Sequence, residues 1–203
     1  MRAIYKAFLS INSLVMFLAV PSLADESVLY DQAPPKDAVF VRLLDENSTT
    51  RDFEFNGHSL TLPAGTETAY AAISAQTLGL VDAGTFHSLL VDENGGFVAI
   101  EEPNERPNAK VHLLLINADD APVRLIVPES EIEVVGKTAG MGIGSRAVNP
   151  IRTPLAAQRI DNGELIGTFD LSLSRGQNIT FLVQNGQVTK IENRFGPVIE
   201  PAR

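Results

Sequence analysis

The chain of 203 residues contains no cysteine. Without thiols, no disulfide can hold the fold together and no lipid can be attached through an N-terminal cysteine. Small domains that lack disulfides must be stabilised by their own cores and by their neighbours. Tryptophan is also absent, and aromatic residues make up only 6% of the chain. Because sugar-binding grooves generally stack aromatic rings on the sugar, this composition disfavours a carbohydrate-binding module without excluding it.

Basic residues are scarce relative to acidic ones, with 16 lysines and arginines against 25 aspartates and glutamates, a formal charge of −9. Binding to nucleic acid or to an anionic membrane surface needs clusters of basic side chains. The composition therefore argues against both partners. Contact with an anionic polymer would have to be local.

The first 24 residues have the pattern of a secretory signal peptide. Arg2 and Lys6 supply the positive start, residues 7–20 are almost entirely apolar, and small residues precede Ala24 at the position a signal peptidase reads. The apolar run is interrupted by polar residues and is shorter than the ~20 residues of a spanning helix. We therefore expect cleavage after Ala24 and no membrane span in the mature chain. Loss of Arg2 and Lys6 without any acid takes the formal charge from −9 to −11.

No motif in the chain indicates catalysis or a bound cofactor. The segment 136–138, Gly-Lys-Thr, resembles the end of a phosphate-binding loop, but Glu131 occupies the position where that motif requires glycine. The Gly-x-Ser-x-Gly pattern of the common esterases is absent. The sequence thus predicts no catalytic residue and no cofactor.

The three histidines, His58, His87 and His112, lie in separate predicted strands. Consecutive side chains of a strand point to opposite faces, so His58 and Ser59 cannot act as a base and its nucleophile, and the same holds for His87 and Ser88. The acidic clusters of the chain have the pattern of turns, and no twelve-residue calcium loop is present. No metal site is predicted.

The second half of the chain repeats the pattern of the first. The apolar runs 39–44 and 111–116 are each followed by acidic and amide residues, and each half closes on two apolar runs joined by Asn-Gly, at 94–95 and 185–186. Asn-Gly favours a hairpin because both of its residues tolerate positive φ. We infer two similar β modules in tandem, with duplication as their origin.

The predicted fold class is all-β, with two tandem β-sandwich domains of immunoglobulin-like or jelly-roll-like type after a cleaved signal peptide. The predicted divisions are a signal peptide at 1–24, an extended lead at 25–36, a first domain at 37–102, a linker at 103–109, a second domain at 110–192 and a tail at 193–203. Strands are predicted at 38–44, 52–55, 58–62, 70–74, 77–81, 86–91, 97–100, 110–116, 123–127, 132–135, 154–160, 166–173, 179–183 and 188–191. The glycine-rich stretch between Gly136 and Asn149 is predicted to be a loop, and the tail to be loosely docked.

A set of short motifs recurs in order along the mature chain: Leu29-Tyr30, Ala33-Pro34-Pro35-Lys36, Ala38-Val39-Phe40-Val41-Arg42, Glu101-Glu102-Pro103, Asn149-Pro150-Ile151, Asn162-Gly163 and Leu173-x-Arg175-Gly176. In this order and spacing they resemble the AlgF family of periplasmic alginate O-acetylation factors. The resemblance spans nearly the whole mature chain.

This resemblance implies a periplasmic protein needed for O-acetylation of alginate. It implies a non-catalytic adaptor, whose partners are the periplasmic alginate O-acetyltransferases and the membrane O-acyltransferase that carry the chemistry. Contact with alginate itself is left open by the resemblance. Two alternatives remain open. One is a carbohydrate-binding module that presents the polymer, and the other is an acetyl-transferring or esterase protein that works through Ser59, Ser88 or His112.

The same motifs predict a partner-binding surface at Tyr30, Arg42, Glu101, Glu102, Asn149 and Pro150. Each of these residues also has a structural interpretation. Tyr30 could plug the open end of the first sandwich, and Arg42 could pair with Glu101 or Glu102. The pair 149–150 could simply start a strand.

Overall fold

A computed structural model describes residues 33–44, 52–63, 66, 68–80, 82–92, 95–104 and 109–201. These residues belong to one compact unit that extends from Gln32 to Arg203. The predicted signal peptide, Tyr30 and the centre of the predicted linker lie outside the described residues. In the part of the chain that is described, no helix is long and apolar enough to cross a membrane.

The prediction of an all-β fold is confirmed, since the described residues form fifteen strands and no helix. The strands are β1 Ala38–Leu44, β2 Asp52–Phe55, β3 His58–Thr61, β4 Tyr70–Ser74, β5 Phe86–Val91, β6 Phe97–Glu102, β7 Val111–Asn117, β8 Val123–Val127, β9 Ile132–Thr138, β10 Gly142–Val148, β11 Arg152–Arg159, β12 Leu165–Ser172, β13 Asn178–Gln184, β14 Gln187–Glu192 and β15 Phe195–Val198. Their sheets are sheet I, in the order β15-β4-β1-β5-β6; sheet II, β10-β7-β13-β14; sheet III, β12-β11-β8-β9; and the hairpin β2-β3.

Sheet I and the hairpin β2-β3 make up the first half of the fold. Alternate side chains of β1 point to opposite faces, and Val39, Val41 and Leu43 face the hairpin. There they pack with Phe53 and Leu60 in a core whose members are buried. Removing each such side chain from water contributes about 1.5–3 kcal/mol.

Sheets II and III form the second half, a β-sandwich. Leu113 and Leu115 of β7 and Phe181 of β13 pack from sheet II against Leu125 and Leu155 of sheet III. The strand β7 is buried along its whole length, as expected when both faces of a sheet are covered. The hairpin between β13 and β14 turns at Asn185 and Gly186, with φ of 55° and 72°.

The two halves share a strand arrangement. In sheet I, β1 is antiparallel to β4 and parallel to β5, and β5 is antiparallel to β6. In sheet II, β7 is antiparallel to β10 and parallel to β13, and β13 is antiparallel to β14. This identical order and direction of four strands is what the inferred duplication requires.

The face of sheet I that points away from the hairpin packs on the face of sheet II that points away from sheet III. Leu44 and Leu90 of sheet I meet Ile116, Leu182 and Ile191 of sheet II in a third buried cluster. The apolar contact places four layers in series: hairpin, sheet I, sheet II and sheet III. The two sheets in the middle therefore create an interface between the halves.

Two expectations about secondary structure are wrong. Of the strand predicted at 77–81, residues 77–79 form a turn instead, in which Gly79 has φ of 66° and Leu78 enters the first core. The stretch 136–149 holds the end of β9 and all of β10. Its glycines allow close packing, because a Cβ at Gly144 would lie 2.5 Å from the Thr138 side chain.

The expectation of a loosely docked tail is also wrong for residues 195–199. Strand β15 pairs in parallel with β4 at the edge of sheet I. The Ile199 amide donates to the Ala72 carbonyl at 3.0 Å, and the Ile199 side chain is buried in the first core. The C-terminal segment of the chain thus completes the sheet of the first half.

Candidate functional site

The structure divides the six residues predicted for a partner surface into three groups. Arg42 and Glu102 are buried between sheets I and II, and they are bonded to each other. Glu101, Asn149 and Pro150 are exposed. Tyr30 lies outside the described residues.

The buried guanidinium of Arg42 is surrounded by acceptors. Its Nη2 donates to Glu102 Oε1 at 2.8 Å and to Thr180 Oγ1 at 2.9 Å. Its Nε donates to Ser88 Oγ and its Nη1 to Asn193 Oδ1, both at 2.8 Å. The side chains of Arg42 and Glu102 have 0% exposure. A charge pair that is fully removed from water is tolerated only when its remaining hydrogen-bonding groups are also satisfied.

The carboxylate of Glu102 is satisfied from sheet I. Ser88 Oγ donates to Oε1 at 2.6 Å, and the Tyr70 hydroxyl donates to Oε2 at 2.6 Å. The Tyr70 ring also lies 4.4 Å from the Arg42 guanidinium carbon, which adds a cation–π contact. Of the interpretations given for Arg42, the structure therefore shows the pairing with Glu102.

The register of the sheets explains how these groups meet. Arg42 lies beside Ser88 in the parallel pair of β1 and β5, and Glu102 lies on the neighbouring strand β6. Thr180 and Asn193 come from the second half, so the Arg42 guanidinium joins the two halves through direct hydrogen bonds. The cluster fixes how sheet I sits on sheet II.

The side chains considered for acetyl chemistry do not form a catalytic group. Ser88 Oγ accepts from Arg42 and donates to Glu102, and it is fully buried, so no substrate can reach it. His112 is buried within sheet II. Ser59 is exposed on β3, where its register partner is Glu54. Among the described residues, no group of His, Cys, Asp and Glu could hold a metal ion.

His87 points to the hairpin side of sheet I. Its ring packs 5.1 Å from the Phe55 ring, and its Nε2 lies 3.1 Å from Thr85 Oγ1. Burial lowers the pKa of His87, and the charges of Glu101 and Glu102 oppose that effect. The neutral imidazole is thus the form that the folded protein favours.

An open cleft of about 720 Å³ lies between the halves, at the end of the interface where β5 and β7 finish. Its apolar part is formed by Val91, Val98, Ala118 and Met141. The other residues that line it are Asp92, Asp119, Asp120, Ala121, Arg159, Gln184, Asn185 and Gly186. Three turns of the second half and the end of the β5-β6 hairpin therefore converge on one concave surface.

The acidic turn of this cleft is held in place by hydrogen bonds. The Asp119 carboxylate accepts from the Asn185 and Gly186 amides at 2.6 and 2.8 Å. Buried Asn117 donates to the Ala121 carbonyl at 2.9 Å and accepts from the Asp119 amide at 3.2 Å. The sequence indicated a turn here but gave no sign that this turn borders a cleft.

The exposed residues at the base of β11 form a separate surface. Lys110 Nζ donates to Asn149 Oδ1 at 2.6 Å, and Pro150 is followed by Ile151, which is 57% exposed. Asn149, Pro150 and Ile151 are therefore exposed together just before β11.

Comparison with known proteins gives relatives along most of the chain, although no family model matches it. An alginate biosynthesis protein AlgF from Azotobacter vinelandii is 27% identical over 192 residues, covering 86% of this chain and 83% of that protein. The AlgF protein of Pseudomonas syringae pv. tomato is 24% identical over 172 residues, covering 79% of this chain and 77% of that protein. A structure of the C-terminal domain of AlgF from P. aeruginosa covers 41% of this chain and 96% of that domain, with 17% identity and a TM-score of 0.36.

Proposed function

Because the chain is a relative of the AlgF proteins, we propose that it serves alginate biosynthesis as a non-catalytic periplasmic adaptor for O-acetylation of the polymer. The observation that carries this proposal is the extent of the match. One relative named for alginate biosynthesis aligns with 86% of the chain, which includes parts of both halves of the fold. The function is therefore assigned to the assembled pair of halves and not to one of them.

The arrangement of polar side chains supports an adaptor more than an enzyme. The interface between the halves buries Arg42, Glu102 and Ser88, whose hydrogen bonds are made to one another and to neighbouring residues. A nucleophile needs access to substrate as well as an adjacent base, and Ser88, although it donates to the Glu102 carboxylate, is fully buried. A rigid body of four β layers instead offers surfaces on which other proteins can be held.

The partners in this proposal are the periplasmic alginate O-acetyltransferases and the membrane O-acyltransferase of the same process. The exposed members of the predicted surface, Glu101, Asn149 and Pro150, remain candidates for contact with them. Arg42 and Glu102 could be reached by a partner only if sheet I separated from sheet II.

Crosslinking in the periplasm tests the adaptor role. We expect the tagged mature protein to recover acetyltransferase components, and a double substitution Asn149→Ala and Pro150→Ser to reduce the recovery. Asp170→Ala, an exposed change on β12, is the matched control and should leave recovery intact. Absence of any acetyltransferase component from the wild-type sample would overturn the proposal. Hydrolysis or transfer of acetyl esters by the purified protein would also overturn it, if a single substitution such as Ser59→Ala abolished that activity.

Direct contact with the polymer is a second candidate function, and one observation favours it. Phe195 on the edge strand β15 is 67% exposed, and its ring is supported by Phe40 at 5.1 Å, Phe86 at 6.1 Å and Tyr70 at 6.2 Å. A fixed, exposed ring is the kind of surface on which a sugar stacks. Calorimetric titration with oligomannuronate separates the two functions. If the protein contacts the polymer, we expect a heat of binding that the substitution Phe195→Ala removes. If it is only an adaptor, we expect no heat of binding.

A further inference from the structure

Strand β6 forms one edge of sheet I, and no strand of the described residues pairs with its outer side. On the inner side it pairs with β5 without a break in register. Bonded and non-bonded residue pairs alternate along an antiparallel ladder. The Asp92 amide donates to the Gly96 carbonyl at 2.8 Å, so that pair is bonded and the next pair, which contains Phe97, is not. The backbone amides and carbonyls of Phe97, Ala99 and Glu101 therefore point away from β5, and no described residue is bonded to them.

The other edges of sheets I, II and III, within the described residues, are protected against further pairing. Arg146 on β10 donates to two carbonyls of β9, both at 3.2 Å, so these two edges are bonded to each other. Strands β12 and β14 lie against each other, since a Cβ at Gly167 would overlap the Val188 side chain. Strand β15 contains Pro197, which has no amide to donate. Strand β6 begins with four apolar residues, 97–100, and has no proline, lysine or bulge, which are common means of preventing pairing at an edge.

Two cavities lie beside the start of β6, one on each face of sheet I. Phe97 faces the hairpin β2-β3, where its ring lies 6.4 Å from that of Phe53, whereas Ile100 faces sheet II. On the hairpin side, a groove of about 460 Å³ is lined by Glu54, Asn56, Gly57, Gly95, Gly96 and Phe97. On the side of sheet II, Val98 lines the open cleft between the halves.

The position of the two cavities suits an added strand. Successive side chains of a strand point to opposite faces, so a strand paired with β6 would direct its side chains alternately into the groove and into the cleft. Backbone pairing at an open sheet edge, with cavities for alternate side chains, is an established way to bind an extended peptide. The backbone bonds supply affinity in that arrangement, and the cavities supply specificity.

The charge around this edge indicates which segment it accepts. Glu54 and Glu101 are exposed, and Asp92 lines the cleft. Among the described residues that line the two cavities, Arg159 is the only basic one, and it donates to both oxygens of Asp161, at 3.2 and 2.8 Å. Electrostatic complementarity therefore favours a segment with basic side chains. Pairing with β6 of a second copy would bring the same acids together, and like-charge repulsion disfavours that arrangement.

We propose that the open edge of β6 binds an extended, basic segment of a partner protein as an added strand of sheet I. The segment bonds to the outward backbone groups of Phe97, Ala99 and Glu101, and its side chains alternate between the groove and the cleft. Glu101, one of the residues predicted for a partner surface, lies on this edge. The inference rests on the proposed adaptor function and adds the surface by which one partner is held.

The test uses the intact mature protein, labelled with ¹⁵N, and the peptide acetyl-Lys-Val-Lys-Val-Lys-Val-amide as the probe. We expect saturable shifts of the amide signals of residues 97–101, together with slower hydrogen exchange at the amides of Phe97, Ala99 and Glu101. Slower exchange reports backbone pairing, because contact through side chains alone leaves these amides open to water. The acidic peptide acetyl-Glu-Val-Glu-Val-Glu-Val-amide should bind about tenfold more weakly, since its charges face the acids of the edge.

Methylation of the peptide's backbone amides removes donors and keeps the side chains. Only alternate amides of a strand face one neighbouring strand. Two further probes, methylated on the three valines or on the three lysines, therefore test the pairing for either set of amides. We expect at least one of them to bind about tenfold more weakly than the unmodified peptide. Equal binding of the unmodified and both methylated peptides would overturn the edge as the site.

A substitution in β6 tests the same contact from the protein side. Ala99→Pro removes one outward amide and no bond to β5, because the Ala99 amide points away from that strand. Its matched control is Ala99→Val, which keeps the amide at the same exposed position. We expect Ala99→Pro to weaken binding of the lysine peptide about tenfold and Ala99→Val to leave it unchanged. Equal binding by two folded variants would contradict the proposal, and if Ala99→Pro does not fold, the methylated peptides decide on the wild-type protein.

Sedimentation tests for pairing between copies. A wild-type dimer that Ala99→Pro dissociates would assign the edge to a second copy of the chain and overturn the proposal.

These outcomes can be told apart from those of the adaptor proposal. If crosslinking recovers acetyltransferase components while the lysine peptide does not bind, the adaptor role stands and the edge falls. If the peptide binds as described and crosslinking recovers no acetyltransferase component, the edge stands and the adaptor role falls.

Discussion

At the scale of single residues, Arg42 makes the connection between the halves. Arg42→Met keeps much of the side-chain volume but leaves the Glu102 charge buried without its partner. We expect the free energy of unfolding to fall by about 3–5 kcal/mol. Urea denaturation measures this loss.

The matched control for Arg42 is Arg124→Met. The Arg124–Glu133 contact spans 3.6 Å, and its side chains are 33% and 47% exposed. Removing an exposed ion pair costs less than about 1 kcal/mol. Losses of similar size in the two variants would contradict the role given to the buried pair.

His87 supplies a prediction about pH. Because its pKa is lower in the folded protein than in the unfolded chain, the unfolded chain binds more protons as the pH falls below about 6.5. The free energy of unfolding of the wild-type protein should therefore fall as the pH is lowered from that value. At pH 8 His87 is neutral in both the folded and the unfolded chain, so it does not affect the free energy of unfolding there. Urea midpoints measured from pH 8 to pH 5.5 should fall less steeply with acidification in the variant His87→Gln than in the wild type. An unchanged slope would show that His87 is not the group responsible.

At the scale of elements, β15 and the residue that follows it belong to the first half although they come last in the chain. Ile199→Ala removes a buried side chain from the first core, and we expect a loss of about 2–4 kcal/mol. Phe195→Ala should cost less, because Phe195 is 67% exposed. Equal losses, measured by thermal or urea unfolding, would mean that the Ile199 side chain is not packed in the core.

The sequence is sufficient to predict elements whose apolar pattern is strong. The bounds of β1, β4, β5 and β8 agree with prediction, because their apolar and β-branched residues lie between polar turns. Strands β10 and β15 were missed since Gly142, Gly144 and Pro197 are residues typical of loops. Those glycines are needed for close contact between strands, which no local pattern reveals.

The candidate sites were predictable only in part. Arg42 and Glu102 were singled out, and their pairing was among the interpretations of the sequence. Their other partners, Thr180 and Asn193, are 138 and 151 residues away from Arg42. The cleft was not foreseen, because its turns converge only when sheet I packs on sheet II.

At the scale of the whole molecule, the halves share an interface of apolar and charged groups. Leu44 and Leu90 pack against Leu182, and Arg42 bonds to Thr180. We therefore expect the halves to unfold together in a single transition. Amide signals of Val39 and Phe181, followed in parallel through a urea titration, should vanish at the same midpoint. Loss of the Val39 signal at a clearly lower concentration would contradict this coupling.

In the proposed function, this chain is needed for acetylation of the polymer without carrying out the chemistry. The most direct test is the acetyl content of the secreted polysaccharide, measured by proton NMR in a strain that lacks only this chain and in the same strain complemented. We expect acetylation to be lost without the chain and to return on complementation. Unchanged acetylation in the deletion strain would contradict it.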